Sequence, residues 1–275
     1  MYNNATVIDS YLLNVNNLSL MTDYYHNRIG LAILDQASNQ TILGVDTKPL
    51  LVLKKQAPQT RQAVNGLYHT AFLMPDQASL GAMLRKLLVT QTPLIGGADH
   101  GYSEALYLQD PEDNGIEIYR DKPLANWDLR PNGQIVGVTE ELDGNQLLAS
   151  ANNLDAMPAQ TKLGHIHLQV ADLKTTRHFY QQLLGFDLKM SMGNHVDFLA
   201  YGLYHHHLAA NTWAGTHLAK RKPNQLGLGY YAFLAPNLEQ IQANLTKANI
   251  AYKRLASKLI VSDPNGIELI ISDAS

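Results

Sequence analysis

Cysteine is absent from all 275 residues. That excludes a disulfide scaffold, a thiolate zinc site, an iron–sulfur cluster and a cysteine nucleophile. Any metal would have to be held by His, Asp, Glu or Tyr. Charge is also scarce. Asp, Glu, Lys and Arg make up 16% of the chain, too little for a disordered, solvating polypeptide. The net charge of −3 offers no basic face for DNA or RNA. No apolar run approaches the ~20 residues of a membrane helix. The opening MYNNATVIDSYLLNV has no basic stretch followed by an apolar core, so no secretory signal is expected. The expectation is a soluble cytoplasmic protein with neither a nucleic-acid nor a membrane partner. What the chain does have is 45% apolar residues, enough for a core, and 11 histidines. Its length suggests about two domains at roughly 150 residues each.

The chain repeats itself. YLLNVNNLSLMTDYYHNRIGL, from Tyr11, aligns with HLQVADLKTTRHFYQQLLGF, so that Val15 falls on Val170, Leu18 on Leu173, Tyr25 on Tyr180 and Gly30 on Gly185. GLYHTAFLMP, from Gly66, aligns with GLGYYAFLAP, placing Phe72 on Phe233 and Pro75 on Pro236. Each of the latter is followed by a closing segment, DPEDNGIEIY from Asp110 and DPNGIELI from Asp263. Repeats of this length mark a shared supersecondary unit. There are four, with the first like the third and the second like the fourth. Each opens with a β-rich run such as GHIHLQV. A helix with a polar start follows, as with Asp76 before Leu80, Met83, Leu84 and Leu87. Strands broken by Gly, Asn and Asp turns complete it. The predicted class is therefore α+β, with four βαβββ modules. Residues 1–122 form a first pair, 123–160 a linker with one short helix, and 161–275 a second pair. A single module buries its sheet on one side only, and pairing two curls the sheets into a cup suited to a small molecule.

Position within the repeat singles out a few residues. At the first-strand position five residues before the residue that precedes the helix turn (Val15, Met74 and Val170 in the first three modules) stand Ser10, His69, His165 and Tyr230. After the closing turns stand Glu117 and Glu268, while modules 1 and 3 end on PLLVLKK and HHHLAANTW, without a carboxylate. Any one of these histidines could be a buried residue bonded to a carbonyl, and either glutamate could merely stabilise its turn. Together, modules 2 and 3 supply His69, Glu117 and His165. Two imidazoles and a carboxylate on one face of an ion are the usual non-heme Fe(II) set, with positions left open for substrate and O2. Modules 1 and 4 supply only Ser10, Tyr230 and Glu268. The arithmetic favours a crossed arrangement, 2 with 3 and 1 with 4.

The order of these motifs resembles the vicinal oxygen chelate superfamily, which includes glyoxalase I, bleomycin-resistance proteins and extradiol ring-cleaving dioxygenases. GLYHTAFLMP, ADHGYSEALYLQDPEDNGIEIYRDKP, LGHIHLQVADL, FYQQLLGFDL and YHHHLAANTW look like bacterial catechol 2,3-dioxygenase-like proteins, over almost the whole chain. The resemblance implies two paired-module glyoxalase/dioxygenase-like domains around a metal cup. It implies Fe(II), or Mn(II) in some members, held by His165 of a Gly-His pair, by His69 and by Glu117. In the usual family arrangement the second His and the Glu both belong to the C-terminal half, which leaves Glu268 open as the carboxylate. His100 and Tyr107 match a His and a Tyr that precede the closing turn in ring-cleaving members. The run His205-His206-His207 resembles a His-His pair that supplies an acid/base. Register favours His206, and because strand residues alternate faces, His207 stays open as a substrate contact. His167, two residues after His165, should share its face. The implied activity is extradiol cleavage of a catechol-type diol by O2, with a small aromatic substrate as partner and a homo-oligomer as a frequent family state. The rival readings are a glyoxalase-type lyase or isomerase, which usually has a second carboxylate on the partner module, and a non-enzymatic aromatic-drug-binding protein, which usually lacks the metal set. HHHLAANTW offers no such carboxylate.

Overall fold

A computed structural model describes residues 8–274. Module 1 comprises β1 (Ile8–Val15), α1 (Leu18–Asp23), β2 (Ala32–Gln36), β3 (Gln40–Val45) and β4 (Lys48–Lys55). Module 2 comprises β5 (Gly66–Leu73), α2 (Gln77–Val89), β6 (Gly96–Asp99), β7 (Ser103–Gln109) and β8 (Gly115–Asp121). The connecting stretch holds β9 (Asp128–Leu129), β10 (Ile135–Val136), β11 (Glu140–Glu141) and α3 (Gly144–Ala149). Module 3 comprises β12 (Lys162–Gln169), α4 (Leu173–His178), β13 (Asp187–Ser191), β14 (Val196–Ala200) and β15 (Leu208–Asn211). Module 4 comprises β16 (Gly227–Ala235), α5 (Leu238–Lys247), β17 (Tyr252–Leu255), β18 (Lys258–Ser262) and β19 (Glu268–Asp273).

The helix starts follow from local chemistry. Asn17, Asp76, Asp172 and Asn237 stand at the same place in the four modules, and each side chain accepts from a backbone N–H of the first turn. Such caps satisfy donors that the helix leaves without a partner. In modules 1 and 3 the helix widens into a π-turn, Tyr24–Ile29 and Phe179–Leu183. The widened turns carry the equivalent residues Tyr25 and Tyr180. Tyr25 donates to Asp110 at 2.9 Å and Tyr180 to Asp263 at 3.1 Å, all four residues being buried. Each closing turn is thereby tied to the helix of the module before it.

The strands pair differently. One sheet runs β17-β18-β19-β16-β1-β4-β3-β2 and joins modules 4 and 1. The other runs β11-β6-β7-β8-β5-β12-β15-β14-β13 and joins modules 2 and 3. The seams are antiparallel, β1 with β16 and β5 with β12. The segments 1–122 and 161–275 thus order the modules along the chain, while each sheet takes one module from either segment. Consecutive modules meet instead through their buried Tyr–Asp bonds. One apolar cluster, from Ile8 to Ile271, draws on all four modules. The stretch 123–160 contains the expected short helix, and it also adds β11 to the edge of the second sheet, where Glu140 pairs with Asp99. No helix among the described residues is long and apolar enough to cross a membrane.

Removing either tyrosine hydroxyl takes a hydrogen bond from a buried carboxyl. Tyr25→Phe and Tyr180→Phe should each lower stability by about 1–3 kcal/mol in urea denaturation. Because the two pairs share no partner, the losses should add in the double variant. Unchanged midpoints would refute this role.

Candidate active site and metal centre

Register across the second sheet assembles the site. On β5, Ala71 pairs with His165 of β12 on one side and Glu117 of β8 on the other, and Glu117 pairs in turn with Tyr107 of β7. The next row on the same face holds Gly115, His69 and His167. One departure from regular pairing matters. The ladder jumps between Leu163 and His165, leaving Gly164 as an extra residue. Such a bulge re-aims the following side chain. Leu163 stays in the apolar core while His165 turns to the site. Gly164 is needed for a second reason: a Cβ there would stand 1.7 Å from the Tyr119 hydroxyl. At Gly115 a Cβ would stand 2.0 Å from the Tyr68 carbonyl and 3.0 Å from His69 Cβ. Glycine thus sits where the Tyr119 ring and the Tyr68 carbonyl leave no room for a Cβ.

His69, Glu117 and His165 converge. His69 Nε2 lies 2.9 Å from Glu117 Oε2, His165 Nε2 lies 3.1 Å from the same oxygen, and the two nitrogens are 3.2 Å apart. All three residues are buried. Ligand atoms at right angles around one ion, each about 2.1 Å from it, stand about 3.0 Å apart. The spacing and the donor chemistry, two imidazoles and one carboxylate, therefore fit a facial divalent-metal site. Glu268 is exposed in the other sheet, paired with Tyr230, and takes no part. Among the described residues no other cluster of His, Asp and Glu has metal-ligand spacing.

Electrostatics keep the set in a ligating form. Burial alone would push the Glu117 carboxyl up, but the His165 and His69 imidazoles closing on it outweigh burial and hold it well below the usual carboxylate range. Burial pushes His165 down to about 4 against the pull of Glu117. Burial, reinforced by neighbouring imidazoles, holds His167, His206 and His207 well below the usual histidine value.

The triad lies in the wall of a cavity of about 480 Å3 that is also lined by His100, Tyr107, His167 and His206. His100 Nδ1 faces the Val138 carbonyl at 2.8 Å, so it carries the proton, and Nε2 accepts from the Tyr107 hydroxyl at 2.7 Å. Burial first, and then Glu117, push the Tyr107 hydroxyl up, so it stays protonated. His167 Nε2 accepts from Asn211 at 2.9 Å, and its ring stands 4.7 Å from that of His69. His206 stands 4.1 Å, ring to ring, from His165.

His207 does not line the cavity, contrary to the expected substrate contact. Its ring stacks on Tyr204 at 4.6 Å and its Nδ1 accepts from the Tyr201 N–H at 3.3 Å. The three histidines precede β15, and only the middle one faces the cavity.

His205 points away from the cavity as well, yet it is bonded to His206. His205 Nε2 lies 3.0 Å from Asp121 Oδ1, and His205 Nδ1 lies 2.8 Å from His206 Nδ1. Asp121 takes the Nε2–H of His205, and the His205 tautomer that carries its proton there accepts at Nδ1. The proton between the rings then belongs to His206 Nδ1, which leaves His206 Nε2 with a free lone pair. The sequence did not single out Asp121, and it marked His205 only as part of the His205–His207 run. The signal was available in part: Asp121 lies on the same strand face as Glu117 and Tyr119, at intervals of two. Its partner, from another module, was not. Tyr68 and Trp213 were missed too, and both line the cavity.

The model of the Glyoxalase/Bleomycin resistance protein/Dioxygenase superfamily matches residues 7–118 and 162–269. The chain belongs to this superfamily. Within it, the chain is 36% identical over 265 residues to a protein of Bacillus subtilis (strain 168) named catechol-2,3-dioxygenase, with 92% of each chain covered. In fold, it superposes on a Bacillus subtilis crystal structure provisionally described as a dioxygenase with a TM-score of 0.68, at 13% identity over 98% of this chain and 86% of the other. Glyoxalase I from Zea mays gives a TM-score of 0.58 at 14% identity, over 98% and 92%. The two matched stretches and the four modules of this superfamily member coincide, and a dioxygenase-like function at a divalent metal is what the relative and the triad support together.

Four buried imidazoles, His165, His167, His206 and His207, have folded values below the unfolded ~6.5. Below that pH the unfolded chain binds more protons, so their stability contribution is present above ~6.5 and lost as pH falls toward the folded values. Metal-free protein should therefore lose up to about 1.4 kcal/mol per pH unit for each such group between pH ~6.5 and ~5.5. Urea denaturation across that window reads the slope, and a flat profile would contradict the burial of neutral imidazoles.

Proposed function

We propose that the protein is an extradiol dioxygenase that cleaves a catechol-type aromatic diol with O2, using Fe(II) or Mn(II). The observation that carries this reading is the convergence of His69 Nε2, His165 Nε2 and Glu117 Oε2 within 3.2 Å of one another in the wall of a ligand-sized cavity. These three residues would hold the metal. When bound, it supplies a cationic centre that favours the ionised diol and positions for both diol and O2.

The remaining groups handle protons and orientation. His206 is the acid/base. It is neutral because it is buried, and its Nε2 has the free lone pair, so it can take a proton from a diol hydroxyl and later return it. Asp121 and His205 fix that tautomer from behind. Tyr107 directs its own proton to His100, which leaves its oxygen as an acceptor for a substrate hydroxyl. His167 borders the same space from the neighbouring row. A glyoxalase-type isomerisation is the weaker reading: β15, which would carry a second carboxylate in such a site, reads Leu208–Asn211 and has none.

Protein purified without added metal should contain iron or manganese near one per chain by elemental analysis. His69→Ala and His165→Ala should each abolish metal retention, while Glu268→Gln should leave it intact. Iron-loaded protein given catechol or a substituted catechol and air should consume O2 and form a yellow ring-opened product. No O2 uptake with any catechol would end the dioxygenase reading.

The relay makes a separate prediction. Asp121→Asn should lower kcat about 10- to 100-fold with little change in KM, because it weakens proton transfer rather than binding. Equal kcat in the variant would remove Asp121 from the mechanism.

A further inference from the structure

Beyond the reaction type, the cavity walls carry information about the ring that enters. We infer that the substrate is a diol bearing an uncharged, apolar ring substituent, seated among Ile95, Val138, Met192 and Trp213, and that carboxylated diols are rejected. This rests on the dioxygenase reading of the same cavity and narrows its substrate class.

Three observations carry it. The first is size. A cavity of about 480 Å3 lies within the range that encloses drug-sized ligands, about 300–1,000 Å3. One benzenediol ring fills a small part of that. On β6 the wall consists of Gly96, Gly97 and Ala98. A Cβ built at Gly96 meets nothing within 4 Å, so there is open room beside this strand.

The second is charge. Among the described residues no Lys or Arg lines the cavity, and Glu117 is its sole carboxylate. A substituent carboxylate laid against these side chains would lose part of its water without gaining a counter-charge, which disfavours it relative to an apolar group. Most of the polar groups sit on the central strands β7, β8, β5 and β12, with His100 just before β7 and His206 just before β15. The flanks are apolar, with Met190, Val196 and Phe198 on β13 and β14.

The third is placement of exposed apolar side chains. Ile95 is 65% exposed, Trp213 54%, Met192 49%, Val138 46% and Tyr68 42%. All five line this one cavity. Single exposed apolar residues mean little, whereas a cluster around a concave site marks a contact surface.

The test is a titration of metal-free protein, read by Trp213 fluorescence and assigned through loss of the signal in Trp213→Phe. The probes are catechol, 4-propylcatechol and 3,4-dihydroxyphenylacetate. The expected order places 4-propylcatechol at least about tenfold tighter than 3,4-dihydroxyphenylacetate, and tighter than catechol. Met192→Arg should narrow or reverse the gap between the first two. Equal or tighter binding of the carboxylated diol would overturn the inference, as would catechol binding as tightly as its propyl derivative, or no saturable signal from any probe. Failure of the iron-loaded protein to turn over any diol is a separate result: it removes the dioxygenase reading but leaves the binding order to be read by itself.

Discussion

Where β5 lies antiparallel to β12, two modules that are 96 residues apart at His69 and His165 share one hydrogen-bonded ladder. Every feature of the site depends on that register. It sets Ala71 between His165 and Glu117 and brings His69 beside His167. A slip of one residue would turn these side chains to the opposite face, because strand side chains alternate. The bulge at Gly164 adds a local correction without which Leu163 and His165 would share a face. The apolar core on one side of the ladder and the ring cluster on the other thus hold each other in place.

The same geometry explains how so many histidines can be buried together. A buried imidazole is tolerable when neutral, and the cluster achieves that by burial and mutual repulsion of charge. Glu117 is the exception that must stay ionised, and it does so because two imidazoles close on it. Behind this set runs a second polar chain, Asp121 to His205 to His206, which reaches the cavity wall at the His206 ring. Two polar systems therefore meet at one wall: one suited to a cation, the other to a proton. The flanking walls, with Met190, Val196 and Phe198, are apolar.

Much of this was written in the repeats. The caps Asn17, Asp76, Asp172 and Asn237, the paired Tyr25 and Tyr180, and the equivalent places of His69 and His165 all recur at fixed spacing. They recur because each module folds by the same local rules. Even the crossed pairing could be argued from ligand chemistry, since only modules 2 and 3 together complete a metal set. The assignment of His207 as a substrate contact was less secure, because periodicity gives two faces and cannot say which one meets the cavity. The stretch 123–160 looked like a connector, yet Val138 and Thr139 border the site, a role that depends on β11 pairing with β6.

The sequence by itself determined the four modules, the α+β class and the residue types able to bind a divalent metal, because capping, alternation and turn chemistry act over a few residues. Only the tertiary structure brought Glu117, and not Glu268, beside His69 and His165, set His206 and not its neighbours in the cavity wall, joined Asp121 to His205 and left the cavity's flanks apolar. Those outcomes depend on contacts between segments far apart in the chain, where sheet register, and not local propensity, fixes which atoms meet.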